Sequence, residues 1–468
     1  MKPSLSHDDW AAEEFGRTNL FHVTRTKRLV RIASDVAARP AGKVTQVMER
    51  SADRQATYGL LDSAAENWPE LVEASSRAAF RRVTTDVVLV PTDGTSMTLP
   101  GAPEDSDFGP TGTSMNEARG VEVMGAILVD TNGVTLGPAA QHYWTRKAKR
   151  KGARVGRKRP LHEREVAYWL RCCEDALRRA EETGCRARLW FQLDRGGDAH
   201  DVLSWAAGAD CWMTVRAAQD RKVFFEEHAK LWDTVGSRDV AGHYPLEVPG
   251  SHGRSARTAR MEVRISEVLL SLGPVDGART PTPVIAVHAR EVSRVPGKEA
   301  PIEWMLLTTR PGTTLDDAIQ CIQAYATRWR IEEAHKTWKS VTKVEESNLR
   351  SADRVIFWAA ILWSVALRIE RMKFRARTEP EAPAVDEFTE HELKAVIALK
   401  SRWADFKVPS TITLAMVVEW VAELGGYTGR KNSGGPPGST TLARGLHRIR
   451  DVALALQAHE PGPQKRDQ

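Results

Sequence analysis

The chain has 468 residues and a formal charge of +6, with 67 lysines and arginines against 61 acids. At roughly 100–200 residues per domain that length suggests two to four domains, and 41% hydrophobic with 27% charged residues excludes a fibrous or largely disordered chain. Five cysteines (Cys172, Cys173, Cys185, Cys211, Cys321) without a Cys-x-x-Cys spacing argue against a disulfide framework or a thiolate zinc site. The polar start MKPSLSHDDWAAEEF has no signal-peptide core, and the longest apolar run, Val355 to Leu367, is too short to span a bilayer. The expectation is a reduced, soluble, multidomain protein of the cell interior.

Residues 1–75 read as helices. One of them, about Thr24 to Ala38, sets Arg25, Arg28 and Arg31 at every third position with Lys27 beside them, while Leu29, Val30 and Ile32 face elsewhere. Such a basic helix suits duplex DNA, although many exposed helices look the same. Val87 to Pro91 then reads as a strand ending at Thr92-Asp93-Gly94, Val121 to Val129 as a second, and Asp130-Thr131-Asn132-Gly133 as a hairpin turn into a short third strand through Val134 and Leu136. From Arg146 to Arg159 nine of fourteen residues are basic and none is acidic, which makes a polyanion-seeking or merely solubilising loop.

A helix from about His162 to Glu182, a strand Ala187 to Leu193 ending at Asp194, a helix through Val202 to Trp205 and a strand Trp212 to Val215 complete a β-β-β-α-β-α-β order. Crossovers are right-handed, so if the strand before Asp194 lies beside the first strand, Asp93 and Asp194 stand side by side at the carboxyl edge, where open α/β sheets keep their sites. Residues 220–303 read as strands with Gly/Pro turns, and a last strand Trp304 to Thr308 leads to Pro311-Gly312 and a long helix capped by Thr313 or Thr314. A helix from about Asn348 to Phe374, a linker at 378–386, a helix at 411–424 and a final helix with Leu442, Leu446, Ile449, Ala453 and Leu456 on one face follow.

On the helix after Pro311, Tyr325, Arg328, Glu332, Lys336 and Lys339 fall within a stripe about 80° wide at about 100° per residue, opposite a core-facing set of Ala324, Ile331, Ala334 and Trp338. Taken alone, a carboxylate among cations on one ridge is most simply a solvated face with ion pairs between successive turns. Other acids are set aside. Asp86 begins its strand, Asp130 belongs to a turn, Glu333 lies off the stripe, and Asp198 is expected to cap the helix after Asp194. No phosphate-binding, nucleophile-elbow or dinucleotide motif is present.

The spacing Tyr-x2-Arg-x3-Glu-x6-Lys, together with Asp93 and the box Asp194-Arg195-Gly196-Gly197-Asp198, resembles the hairpin-forming, cut-and-paste bacterial transposases of the insertion-sequence-four family. The similarity extends from WAAEEF and TKRLVRIA through TRWRIEEAHKTWK to ELGGY. It implies an α/β fold: a ribonuclease-H-like catalytic core with a β-rich insertion, flanked by helical N- and C-terminal domains. The divisions would be 1–75 for DNA-end binding, 76–345 for catalysis with the insertion at about 220–303, and 346–468 for dimerisation.

The resemblance implies that Asp93, Asp194 and Glu332 form a DDE triad holding two Mg2+ ions, with Mn2+ as the expected substitute. Tyr325, Arg328, Lys336 and Lys339 would bind DNA around the scissile phosphate, Trp304 would stack on a flipped base and Arg216 would lie near the hairpin. Trp304 also reads as an ordinary core tryptophan on an edge strand, and Arg216 as one half of an ion pair. Arg25, Lys27, Arg28 and Arg31 are the N-terminal candidates for DNA contact. The partners implied are double-stranded DNA, as terminal inverted repeats and as target, and a second copy of the chain in a synaptic homodimer. No membrane and no nucleotide cofactor are expected, and the location would be the bacterial cytoplasm at the nucleoid. A ribonuclease-H-like nuclease without strand transfer, and an inactive or host-adopted DNA-binding descendant, are the competing expectations.

Overall fold

The computed structural model describes residues 7–103, 106–112, 118–147, 164–224, 229–248, 250, 255–273, 278–297, 299–429 and 435–459. Five helices come first: α1 (His7–Phe15), α2 (Val23–Ala38), α3 (Val44–Val47), α4 (Ser51–Ala64) and α5 (Trp68–Arg81). Helix α2 is amphipathic as its spacing requires. Leu29, Ile32, Ala33 and Val36 are buried, while Thr24, Lys27, Arg28 and Arg31 stay exposed. Pro69 opens α5, where its missing N–H costs nothing, and the helix runs without interruption through positions 75 and 76. Glu14 of α1 is buried against Arg82 just beyond α5, so the first helix is tied to the start of the sheet.

The sheet holds ten strands: β1 (Val87–Thr98), β2 (Gly109–Pro110), β3 (Arg119–Val129), β4 (Thr135–Trp144), β5 (Arg188–Leu193), β6 (Trp212–Arg216), β7 (Gly242–Val248), β8 (Arg257–Leu272), β9 (Thr280–Glu291) and β10 (Glu303–Thr308). Their order is β3-β1-β5-β6-β10-β9-β8-β7, with β4 and the two-residue β2 on the outer side of β3. Strands β1, β5 and β6 are parallel, and the remaining pairings are antiparallel. Helices α6 (Val166–Thr183) and α7 (His200–Gly208) are the crossovers between the parallel strands. Gly184 ends α6 in the left-handed conformation, φ 68°, as its position suggested.

Two strands differ from expectation. Strand β1 does not stop at Asp93-Gly94. Its parallel pairing with β5 ends at Thr92↔Leu193, but β3 continues to pair with it from Thr92↔Ala126 to Thr98↔Gly120 and carries it four residues past Gly94. Strand β4 is ten residues long, held between β3 and the helices α5 and α6. The segment at 220–303 forms a short helix, α8 (Leu231–Gly236), and β7–β9, and these extend the same sheet through β9 and β10. Strand β10 therefore lies between β6 and β9, and Trp304 is not on an edge strand.

The stretch after Pro311, expected as one helix, is two: α9 (Leu315–Ala326) and α10 (Trp329–Ser340). Thr314 and Asp317 cap α9 reciprocally. At the junction the amides of Thr327, Arg328, Arg330 and Ile331 each bond three residues back, which tightens the helix and turns its face. Helix α11 (Ala352–Thr378) buries all thirteen residues of the Val355–Leu367 run. The run is apolar because α11 is the central core helix, enclosed by the sheet, the N-terminal helices and the C-terminal ones. The 378–386 stretch makes the turn into α12 (Glu390–Lys400), which is followed by α13 (Leu414–Leu424) and α14 (Ser439–His459). Leu442, Leu446, Ile449 and Ala453 of α14 are buried as their spacing requires. Among the described residues no helix is long and apolar enough to cross a membrane.

Candidate active site and DNA-facing surfaces

Asp93 and Asp194 come together through register. Thr92 pairs with Leu193 across the parallel strands, so the next residue of each chain stands at the same sheet edge. The Gly94 N–H donates to Asp93 Oδ1 at 2.8 Å. Asp194 leaves β5 in an extended conformation and accepts the Gly196 N–H at 2.6 Å, opening a one-turn 3-10 helix. Glu332 is in the first turn of α10. Arg328, immediately before that helix, donates to Asp93 Oδ2 at 3.1 Å and to Glu332 Oε1 at 2.6 Å.

Asp93 feels the charge of both other carboxylates. Burial, then the like charge of Asp194, pushes Asp93 up to about 7; Arg328 and the Gly94 N–H oppose this, and Glu332 adds to it. Only 17% of the Asp93 side chain is exposed. Among the described residues no three His, Cys, Asp or Glu side chains are gathered closely enough to share one ion. In this arrangement the guanidinium of Arg328 supplies the positive charge between Asp93 and Glu332.

The remaining stripe is only partly a ridge. Lys336 is exposed, and Lys339 is half-buried with its Nζ 3.8 Å from Glu345. Tyr325 is not on the exposed face. The tightened turn between α9 and α10 leaves it buried, edge-on to Trp304 with ring centroids 5.7 Å apart. Burial raises its hydroxyl above the ordinary tyrosine value, against the pull of Arg328 and Arg216.

Trp304 is half-buried and, with Arg216, lines a cavity of about 430 Å³. Arg216 donates to the Glu303 carbonyl at 3.0 Å, and burial holds its guanidinium below the ordinary arginine value, against the neighbouring Tyr325. The sequence did not single out Arg195, Trp232 or Arg257, which share this cavity. Arg195 had a signal, since it follows Asp194 within the quoted box. Arg257 had none, because only the pairing of β8 with β9 and of β9 with β10 brings it near.

Asp198 corrects an expectation. It does not cap α7, whose N-cap Ala199 has no side-chain bond. Instead it is buried and accepts the Ala218 and Gln219 N–H groups and two bonds from Arg221, fixing the loop after β6. Asp130 accepts the Asn132 and Val134 N–H groups, a turn role. Glu333 pairs with Arg330 and Lys373, away from Asp93.

On α2, Lys27, Arg28 and Arg31 are exposed and Arg25 is half-buried. Arg28 reaches the Ala56 carbonyl at 3.5 Å and Arg31 reaches Asp53 at 3.4 Å, so α4 holds the stripe from behind. Of the basic run at 146–159, Arg146 pairs with Glu122 and Glu165, while 148–159 lie outside the described residues.

One comparison with known families bears on these surfaces. A family model described as transposase DNA-binding matches residues 7–65, the span of α1 to α4 that carries the basic stripe. The match supports a DNA-binding transposase.

Proposed function

We propose that the chain is a DDE transposase of the hairpin-forming, insertion-sequence-four type, which binds terminal inverted repeats and moves a mobile element by cut and paste. The observation that carries this is the register that sets Asp93 beside Asp194 at one sheet edge, with Arg328 joining Asp93 to Glu332, in a chain whose first helices match a transposase DNA-binding model. The strand order β4-β3-β1-β5-β6, with both aspartates at the carboxyl edge of the parallel strands, supports a ribonuclease-H-like core.

The donor chemistry suits Mg2+. Three carboxylates offer hard oxygen ligands, and Asp93 stays raised by burial and by Asp194 even with Arg328 beside it, so further positive charge at the site would favour its ionised form. Asp93, Asp194 and Glu332 would hold two such ions, which supply nucleophile activation and leaving-group stabilisation in phosphodiester chemistry. Arg328 would exchange its carboxylates for a phosphate of the bound DNA. Lys336 and Lys339 would grip neighbouring phosphates and position the scissile bond. Trp304, with Arg216 and Arg195 beside it, offers a stacking face and two cations to a base turned out when an end closes into a hairpin. The buried Tyr325 packs edge-on against Trp304 and would act on DNA through it and through Arg216 and Arg328. The C-terminal helices would pair two protomers in the synaptic complex, and the work would be done on chromosomal DNA in the cytoplasm.

The test uses duplexes carrying the inverted repeats that flank the gene. A labelled end is incubated with Mg2+ and either the full chain or Asp93→Ala, and the products are resolved on a denaturing gel. A hairpinned end made by the wild type and lost in the variant supports the assignment. Indiscriminate nicking would replace it with a plain nuclease, and end binding without any product with an inactive descendant.

A further inference from the structure

Among the described residues Phe21 is the most exposed large apolar one at 77%, and Val23 two positions on is 64% exposed. Phe21 also has φ 60°, a left-handed backbone that a bulky side chain rarely adopts. The loop is firmly held in this form. Leu20 is buried, the Phe21 N–H donates to Asn19 Oδ1 at 3.1 Å, His22 Nδ1 lies 2.7 Å from Thr24 Oγ1, and Thr26 donates to the Thr18 carbonyl. The backbone on both sides of Phe21 is held by these bonds, while the Phe21 and Val23 side chains are turned outward. Strain kept at a fixed, unpacked aromatic residue has no folding benefit to offset it, which makes it a candidate for function.

Charge identifies the occupant. The ring precedes α2 directly, and the exposed side of α2 carries Lys27, Arg28 and Arg31 one to two turns along. A phosphate backbone is drawn to such a stripe, and the ring and the stripe both lie within the residues that match a transposase DNA-binding model. Cations alone do not discriminate sequence; base edges are read by groups that enter a groove.

We infer that Phe21, flanked by Val23, is an apolar base contact that confers sequence discrimination on the N-terminal segment, while Lys27, Arg28 and Arg31 supply sequence-independent affinity. This rests on the DNA-binding reading of α1 to α4 and deepens it.

The test employs the full chain. Duplexes selected by the wild type from a randomised 30-base-pair pool (a length of about three helical turns) serve as the specific probe, and unselected duplex as the non-specific one. Affinities are measured over a range of salt. Glycine accepts φ 60° without strain, so Phe21→Gly should melt no lower than the wild type, and a loss of binding cannot be blamed on unfolding. The expected result is about a tenfold loss on the selected duplex, with non-specific affinity within about twofold and an unchanged salt slope. Lys27→Gln should weaken both probes alike and reduce the slope by about one. Equal loss on both probes in Phe21→Gly, or no loss on the selected duplex, would overturn the inference. Failure of the wild type to enrich any duplex would sink the DNA-binding reading itself, and the role of Phe21 with it.

Discussion

Replacing Asp93 with asparagine should stabilise the protein at pH 8 while leaving it unable to cleave DNA. The Asp93 carboxyl is raised from 3.8 to about 7 by burial and by Asp194. The folded chain therefore keeps its proton in a range where the unfolded chain has lost it, and stability falls as pH rises from about 4 to about 7. Three pK units at about 1.36 kcal/mol each bound the penalty near 4 kcal/mol at pH 8. Asparagine has the same shape, keeps an oxygen for the Gly94 N–H and carries no charge. Allowing for the lost pairing with Arg328, a gain of about 2–4 kcal/mol is expected at pH 8 and almost none near pH 4. Thermal melts of both proteins in EDTA at pH 4.5, 6 and 8 (values set around the pKa range) would read the gap directly. Saturating Mg2+ should raise the wild-type melting temperature at pH 8 and leave Asp93→Asn unmoved. A gap that does not change with pH, or an asparagine variant less stable at pH 8, would refute the electrostatic account of this carboxylate.

Arg328→Gln removes the countercharge between Asp93 and Glu332, so Mn2+ should bind the DNA-free protein about tenfold more tightly by calorimetry; weaker binding would contradict the placement of Arg328 over the ligand set. Asp198→Ala takes the carboxylate from the Arg221 guanidinium and leaves the Ala218 and Gln219 N–H groups without their acceptor, and urea unfolding should show a loss of about 3–5 kcal/mol. A fully stable Asp198→Ala protein would show that the aspartate does not anchor the loop after β6. A Cβ at Gly445 would lie 1.7 Å from the Val421 carbonyl oxygen, so Gly445→Ala should force α13 and α14 apart at a cost of about 1–3 kcal/mol. Faster hydrogen exchange confined to those two helices would show it, and unchanged protection would argue against the close crossing.

Much of the scaffold was legible because local chemistry marks it. Alternating and helical apolar patterns located β1, β3, β5, β6, α2, α6 and α14, and Gly184 and the Asn132-Gly133 turn punctuated them. In the sequence the adjacency of Asp93 and Asp194 was conditional on β5 lying beside β1, and the Thr92↔Leu193 register meets that condition. Long-range pairing was not legible. Strand β1 extends past Gly94 only because β3 continues beside it, and β10 becomes an internal strand only because the 220–303 segment joins the same sheet. The break at Thr327–Arg328 has no proline or glycine to announce it, so a helical wheel placed Tyr325 on the outer ridge when it is buried against Trp304. Asp198 looked like a helix cap from its position, while its partners lie twenty or more residues away.

The most direct test of the proposed chemistry exchanges a hard ligand for a soft one. In Asp194→Cys, a thiolate binds Mg2+ poorly and Mn2+ better. If Asp194 ligates the metal that drives cleavage, the variant will leave a labelled inverted-repeat end uncut in Mg2+ and recover hairpin formation in Mn2+, while the wild type cleaves in both. An Asp194→Cys protein that cleaves in Mg2+ at the wild-type rate would remove Asp194 from the metal site and contradict the account.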